Sequence, residues 1–389
     1  MRKEIQLSVP NLNPDIVENL KECIETGWVS TGGRFISEFE QKIARYVKTK
    51  DAVSTQSGTA GLQLALRVLG VGENDEVIVP TLTFIAAVNP VKYVGASPVF
   101  MDCDDDLCMD ADKLERFCTE ECRYEDGALT NKSTGKRVKA MVLVHVFGNL
   151  ANLEQILEIA DRFNLKVLED ATEALGSFYT ERKFAGRFAG TIGDMGVYSF
   201  NANKIITTGG GGMIVSNNQD LLDKARYLSL TAKDDSLFFV HNEVGYNYRM
   251  LNIQAALGVS QIDELERFIQ IKMRNYNRYR EKLDDIPGLR ILPFKAGTRP
   301  NHWFYSLLID EETCGIGRNR LMQDLIESGV QCRPVWKLIH TQTPYTGDTA
   351  YRIENASYYE ANVLNLPCST SLTTEDVDYV CEKIIERIR

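Results

Sequence analysis

Short apolar runs that end in polar or glycine-rich turns, with helical stretches between them, restrict this chain more than any other feature. Glu76-Val-Ile-Val-Pro80, Val138 to Gly148, Leu165 to Asp170 and Met195 to Phe200 read as strands. An apolar helix follows Thr59, and a second helical stretch runs from Leu153 to Phe163. Strands alternating with helices predict an α/β fold on a mostly parallel sheet, with its ligand site at the strands' carboxyl ends. Ser57-Gly58-Thr59, Phe84, Asp170 and Lys204 all fall at that edge.

The stretch Ser199-Phe-Asn201-Ala-Asn-Lys204 leads through Ile205-Ile-Thr-Thr208 into four glycines, Gly209 to Gly212, and then the strand Met213-Ile-Val215. A lysine at a strand's mouth, backed by glycines that admit a flat ligand, suits a Schiff base. An isolated lysine is usually only solvated, and the carboxylate Asp170 at a neighbouring strand end changes that balance. Pyridoxal phosphate (PLP) chemistry needs a lysine for the aldehyde and a carboxylate for the pyridine nitrogen. Two strand ends presenting Lys204 and Asp170 could hold them on opposite sides of one ring.

At Ser57-Gly58-Thr59-Ala60 a segment breaks and a helix begins at once. The free N–H groups of such an end bind phosphate, although an ordinary serine or threonine cap has the same signature. Phe84, at the mouth of the proline-stopped strand 76–80, is either core or a ring to stack on a flat cofactor. No Walker-type or dinucleotide glycine motif lies between a strand and a helix.

With 389 residues, the chain can build one large domain and a smaller one. We expect the large domain over 1–255, with a charged surface insertion at about 116–137, and the small α/β domain over 256–389. A net charge of −10 argues against a general nucleic-acid binder. The start lacks the apolar segment of a signal peptide and no run reaches membrane-spanning length, so a soluble cytoplasmic protein is expected. The nine cysteines should be reduced. Cys103, Cys108, Cys118 and Cys122 lack zinc-knuckle spacing, and no metal site is expected.

Two amphipathic helices open the chain, separated by the glycine turn Trp28-Val-Ser-Thr31-Gly-Gly-Arg34, which is either punctuation or a loop over a ligand. A helix is expected to start at Thr81, a long one from Asn252 to Lys282, and a last one at Thr374 with a threonine cap. Between them, His302-Trp303-Phe-Tyr305 begins a strand. Arg333-Pro-Val-Trp336-Lys337-Leu-Ile-His340 gathers cations and an aromatic that would suit a diphosphate and a base.

Ser-Gly-Thr at 57–59, Thr83-Phe84, Glu169-Asp170-Ala171, Ser199 to Lys204 and Gly245-Tyr-Asn247-Tyr-Arg-Met250 stand in the order seen in the DegT/DnrJ/StrS-type sugar aminotransferases. The chain resembles that family from about residue 5 to its end. The resemblance implies the aspartate-aminotransferase fold (PLP fold type I), a three-layer sandwich with a smaller C-terminal domain. It also implies that Lys204 carries PLP as an internal aldimine and moves protons, with pyridoxamine phosphate as the alternate form. Asp170 would pair with the pyridine nitrogen and Phe84 would stack on the ring. Gly58, Thr59, Ala60 and Ser199 would hold the phosphate, beside Asn201, and Asn247 would reach the phosphate of a neighbouring subunit in a homodimer. Glu173 departs from the family's usual Gln or His and should change the proton balance near the cofactor's phenolic oxygen. Substrate contacts are expected from Thr31, Arg34, His302, Trp303, Arg333, Trp336, Lys337 and His340.

The insertion, Glu173 and Asn203 to Gly212 look most like the LegC-like subgroup, which aminates C4 of UDP-linked 4-keto-6-deoxy-N-acetylhexosamines with glutamate as donor. Such products lead to bacillosamine- or legionaminic-type glycans. Amination at C3, a GDP- or dTDP-linked substrate, and a catalytically silent nucleotide-sugar binder are the alternatives.

Overall fold

The computed structural model describes residues 4–388 apart from 236. Among them, ten strands join in one sheet. Its main path runs Asp51–Thr55, Gly212–Ser216, Met195–Ser199, Lys166–Asp170, Arg137–Val144, Asp75–Pro80, Ser97–Met101 and Thr349–Tyr351. From Met195–Ser199 to Thr349–Tyr351 every neighbour is parallel. Gly212–Ser216 runs against both of its neighbours.

The central strands are largely apolar because both faces are covered. Val77 and Val79 enter one core and Ile78 the other; Ala140, Val142 and Val144 likewise alternate with Met141 and Leu143. On the first side pack Leu62, Leu64 and Ala65 of the helix Gly58–Val68. On the second pack Phe35, Phe39 and Ile43 of Arg34–Val47, and Val259 and Leu265 of Asn252–Leu283. This is the three-layer α/β sandwich expected.

A second, antiparallel sheet has the order Leu289–Ile291, Tyr305–Ile309, Val363–Leu366, Arg333–Pro334. Leu321 and Leu325 of Arg318–Glu327 and Val377 and Val380 of Thr374–Ile385 share its apolar core. The expected boundary at 255 falls inside the first turn of the unbroken, 32-residue helix Asn252–Leu283. The two parts also interleave: Ile5 bridges to Val330, and Thr349–Tyr351 pairs with Ser97–Met101.

One local expectation needs correction and two gain detail. The 116–137 insertion contains a hairpin, Cys122–Glu125 with Ala128–Asn131, that joins the main sheet at Val138. Only alternate residues point inward, Cys122, Leu129 and Asn131, so an edge hairpin of this kind reads as polar. The helix expected from Thr81 is a single 3-10 turn, Ile85–Ala87, and a short helix, Asn89–Tyr93. The last helix begins at Thr374 with a threonine cap, as expected; the cap is Thr373, whose hydroxyl accepts from the Asp376 amide in a capping box.

All nine cysteines are buried free thiols. Among the described residues no group of three or more His, Cys, Asp or Glu could hold a metal ion, and no helix is long and apolar enough to cross a membrane.

Candidate active site

The parallel ladder sets Asp170 beside Val197, so the chain leaving Ser199 emerges next to the Asp170 carboxylate. A turn closed by the Lys204 amide on the Asn201 carbonyl (3.0 Å) then returns Lys204 over that edge. Lys204, Asp170 and Glu173 line one cavity of about 360 Å³ at the carboxyl end of the sheet, a volume suited to a small ligand.

Asp170 is buried, and its Oδ1 accepts the Thr172 amide at 3.0 Å. Burial raises its pKa, against the hydrogen bonds from Thr172 and the charge of Lys204. Glu173 is 4% exposed and its Oε2 accepts the Phe147 amide at 2.7 Å. Burial pushes its carboxyl up to about 7, with Lys204 opposing. Enclosure lowers the pKa of the Lys204 amine, while Glu173 and Asp170 pull it back up. One amine therefore faces two carboxyl groups whose burial favours their protonated forms.

The opposite wall is the start of the helix Gly58–Val68. Ser57 caps it, its Oγ accepting from the Ala60 amide at 3.1 Å. The remaining first-turn amides have no carbonyl within the helix, which makes this end receptive to an anion. Gly58 is required by proximity: a Cβ there would meet the Ser199 Cβ at 2.9 Å. Gly212 is similarly constrained, since a Cβ would meet the Ser57 carbonyl oxygen at 2.6 Å. The glycine run thus lets the strand Gly212–Ser216 pass directly beneath the helix start.

Aromatic rings complete the walls. Phe84 is 53% exposed and lines the cavity, so it is not core. The Lys204 Nζ lies 4.0 Å from the centre of the Trp303 ring. Trp303 Nε1 donates to the Asn203 carbonyl at 2.8 Å. Trp336 stacks on Phe147 with ring centres 4.6 Å apart.

Of the residues expected from sequence, Gly58, Thr59, Phe84, Asp170, Glu173, Ser199, Asn201, Lys204, Trp303 and Trp336 line the cavity. Ala60 supports it through the capped amide. Asn247 is exposed and does not line the cavity of its own chain. Thr31 is also outside it, and Arg34 is paired with Glu22 and Glu38 on the surface. His302 is buried between Tyr276 and Phe294, its pKa lowered to about 3 by burial and nearby Lys272. Arg333 donates to the Cys332 carbonyl, Lys337 lies near Glu360, and His340 bonds Thr81 through Nδ1 at 2.7 Å. These six substrate candidates lie outside the cavity lining of the single chain.

Four contributors escaped the sequence reading: Thr83, Thr172 and Asn203 in the lining, and His145 behind it. The His145 amide holds the Asp170 carbonyl at 3.1 Å, and its ring bridges the Ala151 amide and Glu169, with Nε2 donating to Glu169 at 2.9 Å. Only Thr172 had a usable signal, because Asp commonly accepts the amide two residues on.

The donor set fits PLP: an amine, a carboxylate at the cavity floor, an anion-receptive helix start and a free aromatic face. Residues 10–385 match the DegT/DnrJ/EryC1/StrS aminotransferase family. The chain is 37% identical to a GDP-perosamine synthase of Caulobacter vibrioides, covering 97% of this chain and 96% of that protein. It is 35% identical to a GDP-perosamine synthase of Escherichia coli O157:H7, covering 99% and 98%. Among solved structures it resembles DesI, described in the presence of its TDP-sugar product, with a TM-score of 0.88, 29% identity and coverage of 100% and 94%. The chain belongs to the DegT/DnrJ/EryC1/StrS family and is a PLP-dependent sugar aminotransferase.

Proposed function

We propose that this enzyme transfers an amino group from glutamate to the C4 ketone of a UDP-linked 4-keto-6-deoxy-N-acetylhexosamine, giving a 4-amino sugar for surface glycans. The observation that carries the reaction is the Lys204 amine facing Asp170 and Glu173 opposite the start of the helix Gly58–Val68. The UDP-linked substrate rests on the resemblance of Glu173 and of Asn203 to Gly212 to the subgroup described above. The hairpin at 122–131 adds nothing to that choice: it pairs at Arg137 and Val138, the end of its strand away from the cavity.

When bound, PLP supplies an aldehyde for amines and an electron sink for negative charge at the reacting carbon. Asp170 would hold its ring nitrogen, Phe84 its face, and the amides of Gly58 and Thr59 with the Ser199 hydroxyl its phosphate. Lys204 would accept the proton from the amino donor's α-carbon on its Nζ, and in the second half-reaction would give a proton from Nζ to the sugar carbon that receives the amine. Glu173, whose carboxyl pKa burial raises, would balance the charge around that amine. Trp303 and Trp336 offer flat surfaces at the cavity mouth for the sugar nucleotide.

A GDP-linked substrate is the second reading, favoured by the two full-length relatives named GDP-perosamine synthase. The active unit we infer is a homodimer. Leu237, Phe238 and Val244 are 75%, 74% and 84% exposed next to the outward-facing Asn247, an apolar surface suited to a second copy. The reaction is placed in the cytoplasm, with other nucleotide-activated sugars. The test is a panel of UDP-, GDP- and dTDP-linked 4-keto and 3-keto sugars with glutamate, with the aminated carbon located by NMR. Turnover confined to GDP-linked substrates would replace the first reading by the second. No turnover of any, with PLP absent from the protein, would favour a binder.

A further inference from the structure

Lys272 lies inside the helix Asn252–Leu283 at 3% exposure. Among the described residues it has no carboxylate partner; its Nζ donates to the carbonyls of Trp303 at 3.1 Å and Cys368 at 2.6 Å. The groups facing it carry no compensating charge. His302 and the Cys368 thiol are neutral in this setting, and the Tyr305 hydroxyl donates to the backbone carbonyl of Lys272 itself. Burial disfavours the charged form of its amine, and lysine is almost never fully buried unless paired. Packing alone would be better served by an apolar side chain.

Its two acceptors lead directly to the catalytic lysine. Trp303 is fixed at three points: its amide on Asn301 Oδ1 at 3.0 Å, its carbonyl on Lys272, and its Nε1 on the Asn203 carbonyl at 2.8 Å. The Asn203 carbonyl, one residue before Lys204, also accepts the Ser8 hydroxyl at 3.3 Å. Adjacent Leu7 accepts the Cys368 amide at 2.7 Å, and Cys368 returns to Lys272. The hydrogen bonds thus close a ring from Lys272 through Trp303, Asn203, the 7–8 strap and Cys368. Asn301 further ties the ring to the Glu173 carbonyl at 2.9 Å.

We propose that Lys272 is a positioning residue that, through Trp303, holds the indole face against the Lys204 amine and so sets that amine's readiness to carry a proton. An aromatic face attracts the charged form of an amine lying over it. The 4.0 Å separation therefore biases Lys204 toward holding its proton, against the effect of enclosure. Moving the ring by about one ångström would remove that bias and misalign the amine, a displacement that can cost about a hundredfold in rate. The inference rests on Lys204 being the lysine that engages PLP.

The test uses the PLP-loaded enzyme and follows the visible cofactor band after mixing with glutamate. Lys272→Met should lower the limiting rate by about tenfold or more, with the half-saturating glutamate concentration little changed. The resting band should also shift, a signature that a merely structural role would not give. Trp303→Phe, which keeps a ring but loses the N–H, should shift the band likewise. The double variant should be no slower than the slower single variant, because both act through one ring. Lys272→Gln, which retains a donor, should recover part of the rate. A wild-type rate and band in Lys272→Met, or multiplying losses in the double variant, would overturn the proposal. If Lys272→Met does not fold, Trp303→Phe decides: bleaching at the wild-type rate overturns it. Lys204→Ala separates the underlying reading, since a visible band surviving there would sink the Lys204 assignment regardless of Lys272.

Discussion

Glu173 accepts the amide of Phe147 at 2.7 Å, and the ring of that same Phe147 stacks on Trp336 at the cavity mouth. The backbone of one residue thus fixes a carboxyl group that faces the proton-carrying lysine, while its side chain supports a wall of the substrate entrance. The arrangement makes Glu173 the natural first target.

Glu173→Gln should flatten the pH dependence of stability in cofactor-free protein. The folded carboxyl titrates at about 7 against an ordinary 4.5. The folded state therefore keeps a proton that the unfolded chain has released, and stability falls as pH rises through that interval. The wild type should lose roughly 3 kcal/mol across it, and the glutamine variant much less. Thermal melts across the interval check this; parallel curves would contradict it.

Lys204→Ala should fold, lack the visible absorption of bound PLP, and lose transamination by at least about three orders of magnitude. Absorption spectra before and after glutamate, with an activity assay, check both expectations.

Gly58→Val should weaken PLP binding by roughly tenfold or more while leaving the protein folded. The new side chain would press on Ser199 at the anion-receptive helix start. Equilibrium dialysis of PLP against circular dichroism separates lost binding from lost structure.

Leu129→Ala should destabilise the protein by about 2–5 kcal/mol without altering the cofactor spectrum. Leu129 is 1% exposed in the edge hairpin, which contributes nothing to the cavity lining. A changed spectrum in folded protein would mean that the hairpin communicates with the site.

Phe238→Glu should shift the protein toward monomer in sedimentation velocity and lower its PLP affinity, if a second copy covers the exposed 237–244 surface. A variant that sediments like the wild type would place the subunit contact elsewhere.

The parts legible in the sequence were those where local chemistry and sheet geometry coincide. Asp170 and Lys204 end or follow strands with clear apolar patterns, so their meeting follows from the parallel order. Ser57 to Ala60 show the helix start by themselves. The side chains of 331–340 were not legible in this way. Trp336 turns into the cavity while Arg333 and Lys337 turn out, and only the tertiary path of that extended segment decides between them. The edge hairpin was hidden because one of its faces meets solvent. His145 was invisible because it holds Asp170 by a backbone amide, which any residue can provide, and its ring finds Glu169 and Ala151 only through the tertiary fold.

The helix Asn252–Leu283 has a consequence for which changes in length the chain can accept. Gln254 donates to the Gly210 carbonyl, Gln261 accepts the Thr207 amide, and Lys272 reaches Trp303 and Cys368. From Gln254 to Lys272 is about five full turns, so these side chains share one stripe along the active-site side. One inserted residue between them would rotate everything beyond it by about 100°, turning Lys272 away from Trp303 while Gln254 stayed in place. Surface loops of this protein can lengthen or shorten freely, but this stretch acts as a gauge of fixed length, and a viable descendant must keep its residue spacing.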